Sequence, residues 1–366
     1  MTEEPVGVGL IGCGNIGQIH ADGLAKLVEE GAMRAVAAAD PSADALAGAN
    51  RNCPFERTTQ EPLEVVNDPE VQAVLVASPT ITHLPLVEAV VAAGKSLLCE
   101  KPLAPTFDDV RAIVDVVRRG GITAQVGFHQ RYHPLYQWLA DTVRRGPLGE
   151  AMAYALRDDQ YWPTGDVVTG HSSWRSERAQ AGGGALLEHS IHACDLLSWT
   201  FGPVRRVQAA ARSVYGYDVE DVAAITVEHE NGVVGTLTTV FHGVTGREER
   251  RLEVFLERGA VELTSDFIVG APEDGLLVQR PDRPAERLDV DAIRKKRFAE
   301  LGITRDDFIF YPYVADRAWL QAITRGDPAW PDVGDALHAH AFVEGAYRSA
   351  AEQQPVEVAT SVERAR

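Results

Sequence analysis

From residue 6 to about 128, short apolar runs alternate with segments of helical periodicity. The runs are VGVGLI (6–11), MRAVAAA (33–39), VQAVLVA (71–77), SLLCE (96–100) and TAQVGF (123–128). Unbroken apolarity, as opposed to alternation, marks strands of a parallel sheet covered on both faces. The intervening segments carry helix punctuation: Gly31 and Gly94 stand at C′ positions, and Thr106 with Asp109 forms a capping-box signal for a helix running toward Arg119. This βαβ grammar, with right-handed crossovers, predicts a doubly wound sheet.

After about residue 150 the pattern changes to long strand-like runs: AMAYALRDD (151–159), VQAAARSVY (207–215), VAAITVEHE (222–230), VVGTLTTVFH (233–242) and RRLEVFLE (250–257). Asn231-Gly232 and Arg258-Gly259 read as tight turns between them. A large, mainly antiparallel sheet follows, with a helix over 182–201 packed on it and tail helices near 306–325 and 333–352. The charged cluster REERR (247–251) reads as the solvated face of a strand. The fold class is therefore α/β, in two domains drawn at 1–128 and 129–366, with the C-terminal helix a candidate to pack back on the first; 366 residues suit two domains.

Composition narrows the partners. Asp plus Glu number 53 against 35 Lys plus Arg, a formal net charge of −18, which repels nucleic acid and anionic membrane. The opening MTEEPVGVGLIG has acids where an export signal needs basic residues, and no apolar run reaches membrane-spanning length. Cys13, Cys53, Cys99 and Cys194 are scattered, with no C-x-x-C pair. The expectation is a soluble cytoplasmic protein with reduced thiols.

In "GLIGCGNIGQIHADGL", Gly12, Gly14 and Gly17 form G-x-G-x-x-G after an apolar strand and at the start of a helix, which is the context that gives the pattern meaning. Gly12 permits the tight turn, Gly14 the approach of a pyrophosphate and Gly17 close helix–strand contact, with Asn15 and Ile16 completing the loop. Asp40 ends the second strand, placed for a ribose 2′-hydroxyl; its charge disfavours a 2′-phosphate, so NAD is expected over NADP. Ligands of such sheets bind outside the carboxyl ends of the strands, which selects Ser78, Thr80, Glu100, Lys101 and His129. An ammonium at Lys101 would stand beside the nicotinamide end and steady charge on a substrate oxygen.

"GGGALLEHSIHACDLLSW" (182–199) carries four ionisable residues, Glu188, His189, His192 and Asp195, where a packed helix has little use for them. At roughly 100° per residue, Glu188, His192, Asp195 and Trp199 share one stripe, which predicts an amphipathic helix with a reactive edge facing a cleft. His192 exchanges a proton near neutral pH; Glu188 would fix its ring. His189 and His192, at i and i+3, also have a metal-ligand spacing, but His189 points aside and no metal is expected.

The stretches "GVGLIGCGNIGQIH", "ASPTITHLPLVEAVVAAGKSLLCEKPL", "VGFHQRYHP", "GGGALLEHSIHACDLLSWTFG" and "VGDALHAHAFVEGAYRSAAEQQPVEV" resemble, nearly end to end, the glucose–fructose oxidoreductase, inositol dehydrogenase and rhizopine-catabolism (Gfo/Idh/MocA) family. The resemblance implies an N-terminal Rossmann domain, then an α/β domain with a large open sheet, and NAD(P)-dependent oxidoreduction of sugars, cyclitols or related polyols. By position it makes Lys101, of E-K-P, the catalytic lysine with Glu100 on its cofactor side, and it makes Lys101–Pro102 a candidate cis bond. Thr80 and His83 match cofactor-lining positions, and His192 the catalytic histidine. Glu188 stands where most members carry Asp, and Ser190 where many carry Gly. Expected substrate contacts are His129, Arg131, Tyr161, Trp162, Arg175 and His189. The family also hosts NAD-dependent glycoside cleavage by transient oxidation and elimination, and a non-catalytic sugar-sensing repressor; the presence of both Lys101 and His192 speaks against the latter. A broad sheet with one open face suggests a homodimer or homotetramer.

Overall fold

The structure, a computed structural model, describes residues 4–161, 173–244, 248–265, 274–303 and 311–358. The chain forms two compact units. The first takes Met1–His129, Ala179–Gly182 and Pro312–Leu337; the second takes Gln130–Arg178, Gly183–Tyr311 and His338–Arg366. The first crossing between the units follows His129, and the first unit also takes back two later segments.

In the first unit six parallel strands run in the order β3 (Arg57–Thr59), β2 (Met33–Ala39), β1 (Val6–Ile11), β4 (Ala73–Val76), β5 (Ser96–Cys99), β6 (Ala124–Val126). This is the doubly wound order that puts a switch point between β1 and β4. Helices α1 (Asn15–Glu29), α2 (Ala43–Asn52), α3 (Pro62–Asn67), α4 (His83–Ala92) and α5 (Phe107–Gly120) connect them. The inner strands β1, β4 and β5 are buried almost throughout, which is why their sequence is apolar without alternation. Strand β3, RTT, is polar and largely exposed, an edge strand held to β2 by three register pairs; apolarity gave no sign of it. Gly31 and Gly94 adopt positive φ, and the Thr106 side chain accepts from the Asp109 amide as a cap.

The second unit is built on nine strands in the order β14 (Arg283–Arg287), β13 (Gly275–Arg280), β12 (Gly259–Ser265), β11 (Glu249–Leu256), β7 (Ala151–Tyr161), β10 (Val234–His242), β9 (Val222–His229), β8 (Val204–Arg212), β15 (Val356–Glu357). All neighbours are antiparallel except β7 and β10. Helices α6 (Pro134–Arg145), α7 (Arg178–Ala181), α8 (Ile191–Phe201), α9 (Val290–Glu300), α10 (Tyr311–Arg325) and α11 (Ala336–Glu352) complete the described chain. Most of α10 lies in the first unit and most of α11 in the second.

The charged run at the start of β11 needs correcting. Arg251 is exposed, but Arg250 is 3% exposed and turned inward. Its parity with the core residues Leu252 and Val254 requires that direction.

Candidate active site

In the first unit the glycine loop has the geometry its spacing predicts. A Cβ on Gly17 would lie 2.0 Å from the Gly12 carbonyl oxygen, and one on Gly12 (φ +94°) would meet the Ala77–Ser78 peptide at 2.4 Å. A Cβ on Gly14 would meet nothing within 4 Å. Two glycines are thus demanded by packing and the middle one leaves open space at the start of α1, a cradle suited to a phosphate. Asp40 closes the loop from the next strand: Oδ2 accepts from the Cys13 amide and Oδ1 from the Ser42 amide, each at 2.8 Å. These residues fit a dinucleotide, with the amides at the head of α1 for its phosphates and Asp40 for its ribose.

At the carboxyl edge of the sheet the Lys101–Pro102 bond is cis and Lys101 is half-buried. Its backbone amide donates to Glu100 Oε2 at 3.1 Å. Burial disfavours the Glu100 charge, but the bond and charge of His20, with His129 and Lys101, outweigh it and hold the carboxyl down at about 2. His129 is half-buried, and loss of water around its ring pushes it down to about 4, so it is neutral at pH 7. Thr80 is buried. His83 is also buried, and its ring spans two backbone carbonyls, Ser78 at 2.9 Å and Leu103 at 3.2 Å. His83 thus braces the loops that form the edge, where its expected cofactor-lining position lies.

In the second unit the 182–201 segment is not one amphipathic helix. A single π turn, Ala185–His189, precedes α8, so the residues on either side of Ser190 do not share an α-helical wheel. The stripe expected to face a cleft is buried: Glu188 is 5% exposed, His192 3% and Asp195 2%. Asp195 takes a bidentate bond from Arg131, Nε–Oδ2 2.8 Å and Nη2–Oδ1 2.6 Å. Arg131, expected as a substrate contact, is held in this buried pair and anchors α8. His189 is likewise turned to the core, with Nε2 3.1 Å from Asp158 Oδ1. Asp158 also takes both forks of Arg250 at 2.9 Å and the Ser190 hydroxyl at 2.6 Å; Arg250 and His189 outweigh burial and keep this carboxyl far below the usual range. His189, expected as a substrate contact, belongs to this network.

The three glycines before the turn are explained by close approach. A Cβ would lie 2.4 Å from the Pro105 oxygen at Gly182, 2.0 Å from the Tyr347 hydroxyl at Gly183 and 1.8 Å from the Glu220 carbonyl at Gly184. The Glu220 carboxylate accepts from the amides of Gly184 and Leu186 (both 3.0 Å) and from the Tyr347 hydroxyl (2.8 Å), satisfying the opening of a turn that has no side-chain cap of its own. Glu188 Oε2 accepts from Arg175 Nε at 3.2 Å, and Arg175 lies over the Trp174 ring at 5.0 Å. Tyr161 ends β7; Trp162 lies outside the described residues. Asp158 and Arg250 were missed in the sequence although each sits at an inward strand parity, and Glu220 lies 36 residues from Gly184, with no local signal of the pairing. Among the described residues no group of three or more His, Cys, Asp or Glu is arranged to hold a metal ion, and no helix is long and apolar enough to cross a membrane.

Comparison with known proteins agrees with this geometry. Residues 6–128 match the description "Oxidoreductase family, NAD-binding Rossmann fold", and 136–262 match the "GFO/IDH/MocA C-terminal domain". An inositol 2-dehydrogenase of Acidothermus cellulolyticus is 30% identical over 356 residues, 95% of this chain and 93% of that one. The myo-inositol 2-dehydrogenase of Thermotoga maritima is 28% identical over 69% of this chain and 74% of its own. Among solved structures, levoglucosan dehydrogenase in complex with NADH and levoglucosan superposes with a TM-score of 0.84 at 22% identity, covering 98% of this chain and 100% of that one, which establishes the shared fold. The chain belongs to the Gfo/Idh/MocA oxidoreductase family, and its first unit is an NAD-binding Rossmann domain.

Proposed function

We propose that this protein is an NAD-dependent dehydrogenase that interconverts a hydroxyl and a keto carbon on a sugar, cyclitol or related polyol. The observation that carries the reading is the pairing of the Gly12–Gly14–Gly17 cradle and Asp40 with whole-length relatives named inositol 2-dehydrogenase. NAD, when bound, supplies the hydride acceptor. His192 takes the hydroxyl proton, and the Lys101 ammonium donates a hydrogen bond to the oxygen as charge builds on it. Glu188, fixed by Arg175, balances the imidazolium; Arg175 thereby becomes a support for Glu188 in addition to a candidate substrate donor. His129, neutral and beside Lys101, is the first-unit candidate for a substrate hydroxyl. In reduction each role runs backwards.

The experiment follows NADH formation against a panel of inositols, hexoses and anhydrosugars with the wild type, Lys101→Ala and His192→Ala. Turnover on one class, with both variants at least about 100-fold slower and NADH binding retained, is the expected result. NADH bound but never accumulating while a glycoside is consumed would favour elimination chemistry; binding with no turnover at all would favour a sensor.

The same reading includes a homodimer or homotetramer formed through the open face of the nine-stranded sheet, where Phe255 and Val234 flank Ala153 in one cross-strand row and are 43% and 46% exposed. Light scattering of wild type and Phe255→Glu checks it, with dissociation expected in the variant.

A further inference from the structure

Behind Lys101 the first unit holds a buried row of charged groups that the proposed reaction does not use. His20 on α1 is 1% exposed, Asp316 on α10 0% and Glu100 3%. His20 Nδ1 lies 3.0 and 2.9 Å from the two Asp316 oxygens, and Nε2 lies 3.2 Å from Glu100 Oε1. An ionised carboxylate offers only acceptors, so with both groups ionised the imidazole between them carries a proton on both nitrogens. The other oxygen of Glu100 receives the Lys101 amide. The surroundings are shaped for this row: a Cβ on Gly127 would come within 2.4 Å of Glu100 Oε1, and one on Gly23 would crowd Tyr313 and Asp316 Oδ2 at 3.3–3.4 Å. Gln125 Nε2 donates to the Ala315 carbonyl at 3.0 Å, fixing the helix turn that presents Asp316.

We propose that Asp316 and His20 are positioning residues that act through Glu100 to hold Lys101 as an ammonium at the carboxyl edge of the sheet. The inference rests on the catalytic reading of Lys101. Two carboxylates and one imidazolium leave one uncompensated negative charge in a buried space, and the Lys101 ammonium is the cation that completes the balance. The other titratable groups facing the row are Cys99, His83 and His129, and burial pushes each toward its neutral form. Within the row, burial and the Glu100 charge push the Asp316 carboxyl up, and the charge and hydrogen bond of His20 oppose them. Against burial, Asp316 and Glu100 raise His20 to about 10, and His20 in turn keeps Glu100 ionised. Lys101 is thereby held as a donor to substrate oxygen and not as a base, which leaves proton removal to the histidine of the second unit. Replacing Asp316 by its amide removes one negative charge while keeping the shape, and the support for the ammonium falls with it.

The test reads Lys101 directly. Competitive acetylation of the whole enzyme across pH, followed by mass spectrometry of the Lys101 peptide, gives the titration midpoint of its amine. In Asp316→Asn the midpoint is expected to fall by about one unit relative to wild type, with kcat lower, NADH affinity unchanged and no loss of kcat when Asp316→Asn is made in a Lys101→Arg background, since arginine stays charged regardless. An unmoved midpoint, or the same loss of kcat with arginine in place, overturns the inference. If Asp316→Asn does not fold, selective ¹⁵N-histidine NMR of the wild type decides: His20 is expected to be doubly protonated at pH 8, and a neutral ring there overturns it. If Lys101→Ala keeps full activity, the catalytic reading of Lys101 fails instead, and the acetylation midpoint still reports on the charge row by itself.

Discussion

Arg131 and Asp195 form a bidentate ion pair with side-chain exposures of 4% and 2%, joining the segment before α6 to the middle of α8. Arg131 also lies 5.8 Å from the Trp199 ring, which Arg144 covers on its own account at 4.6 Å. Removing one member strands the other charge in the core. Asp195→Ala is expected to cost about 3–5 kcal/mol of unfolding free energy, whereas the double change Arg131→Met with Asp195→Leu recovers most of it. Urea unfolding of the three proteins checks this; a loss under about 1 kcal/mol in the single variant would mean the pair is not what holds α8.

The glycine loop allows folding and cofactor binding to be separated. Gly17→Ala drives a methyl into the Gly12 carbonyl and should lower Tm together with NADH binding. Gly14→Ala meets no protein atom, so Tm should hold while NADH affinity falls roughly tenfold, about 1.4 kcal/mol, through loss of close phosphate approach. Thermal melts beside NADH fluorescence titrations distinguish the two, and equal Tm losses would contradict the assignment of Gly14.

Asp40 has one oxygen held by the Cys13 amide of the glycine loop and the other by the Ser42 amide of its own turn, so its charge is fixed where a ribose would lie. Asp40→Ser should shift the ratio of kcat/KM for NAD over NADP by at least about tenfold toward NADP, through removal of repulsion. Steady-state kinetics with the two cofactors measures it. A ratio unchanged within twofold, roughly 0.4 kcal/mol, would place cofactor choice elsewhere.

Stability should depend on pH through the charge row in a definite sense. His20 titrates higher folded than unfolded, so its contribution is complete below about 6.5 and is lost as pH rises through about 10. Glu100 titrates lower folded than unfolded, so its contribution is complete above about 4.5 and is lost as pH falls toward about 2. The difference in unfolding free energy between wild type and His20→Gln should therefore be steady near pH 6 and shrink steadily from pH 7 to 10. A difference that grows across that window would contradict the charged state of His20.

Sequence pattern made some of this architecture legible and concealed the rest, for physical reasons. Strands β1 and β2 were readable to the residue, because both sheet faces are covered and every position but Arg34 is apolar. Strand β3 was not, because an exposed edge needs no apolar residue. The cradle glycines were legible because backbone clashes fix their spacing within six residues. The Asp316–His20 pair was not, since 296 residues separate its members and nothing local to either records the other. The helix wheel placed Glu188, His192 and Asp195 on one edge; the π turn removes that common wheel, and Asp195 serves packing instead. Arg250 was readable in principle, since its parity with Leu252 and Val254 turns it inward, but a run of charges masked that parity.

The return of α10 to the first unit bears on synthesis. A ribosome that has released the first 129 residues has delivered all six parallel strands, the glycine cradle and both partners of the future lysine clamp, His20 and Glu100. It has not delivered Asp316, which is made nearly two hundred residues later. Until then an imidazole and a carboxylate destined for burial lack their third member, and the nucleotide half cannot finish as an independent module. The last step in building the cofactor-binding half therefore waits on nearly the whole polypeptide, so that a truncated chain has the cradle but not the finished charge behind it.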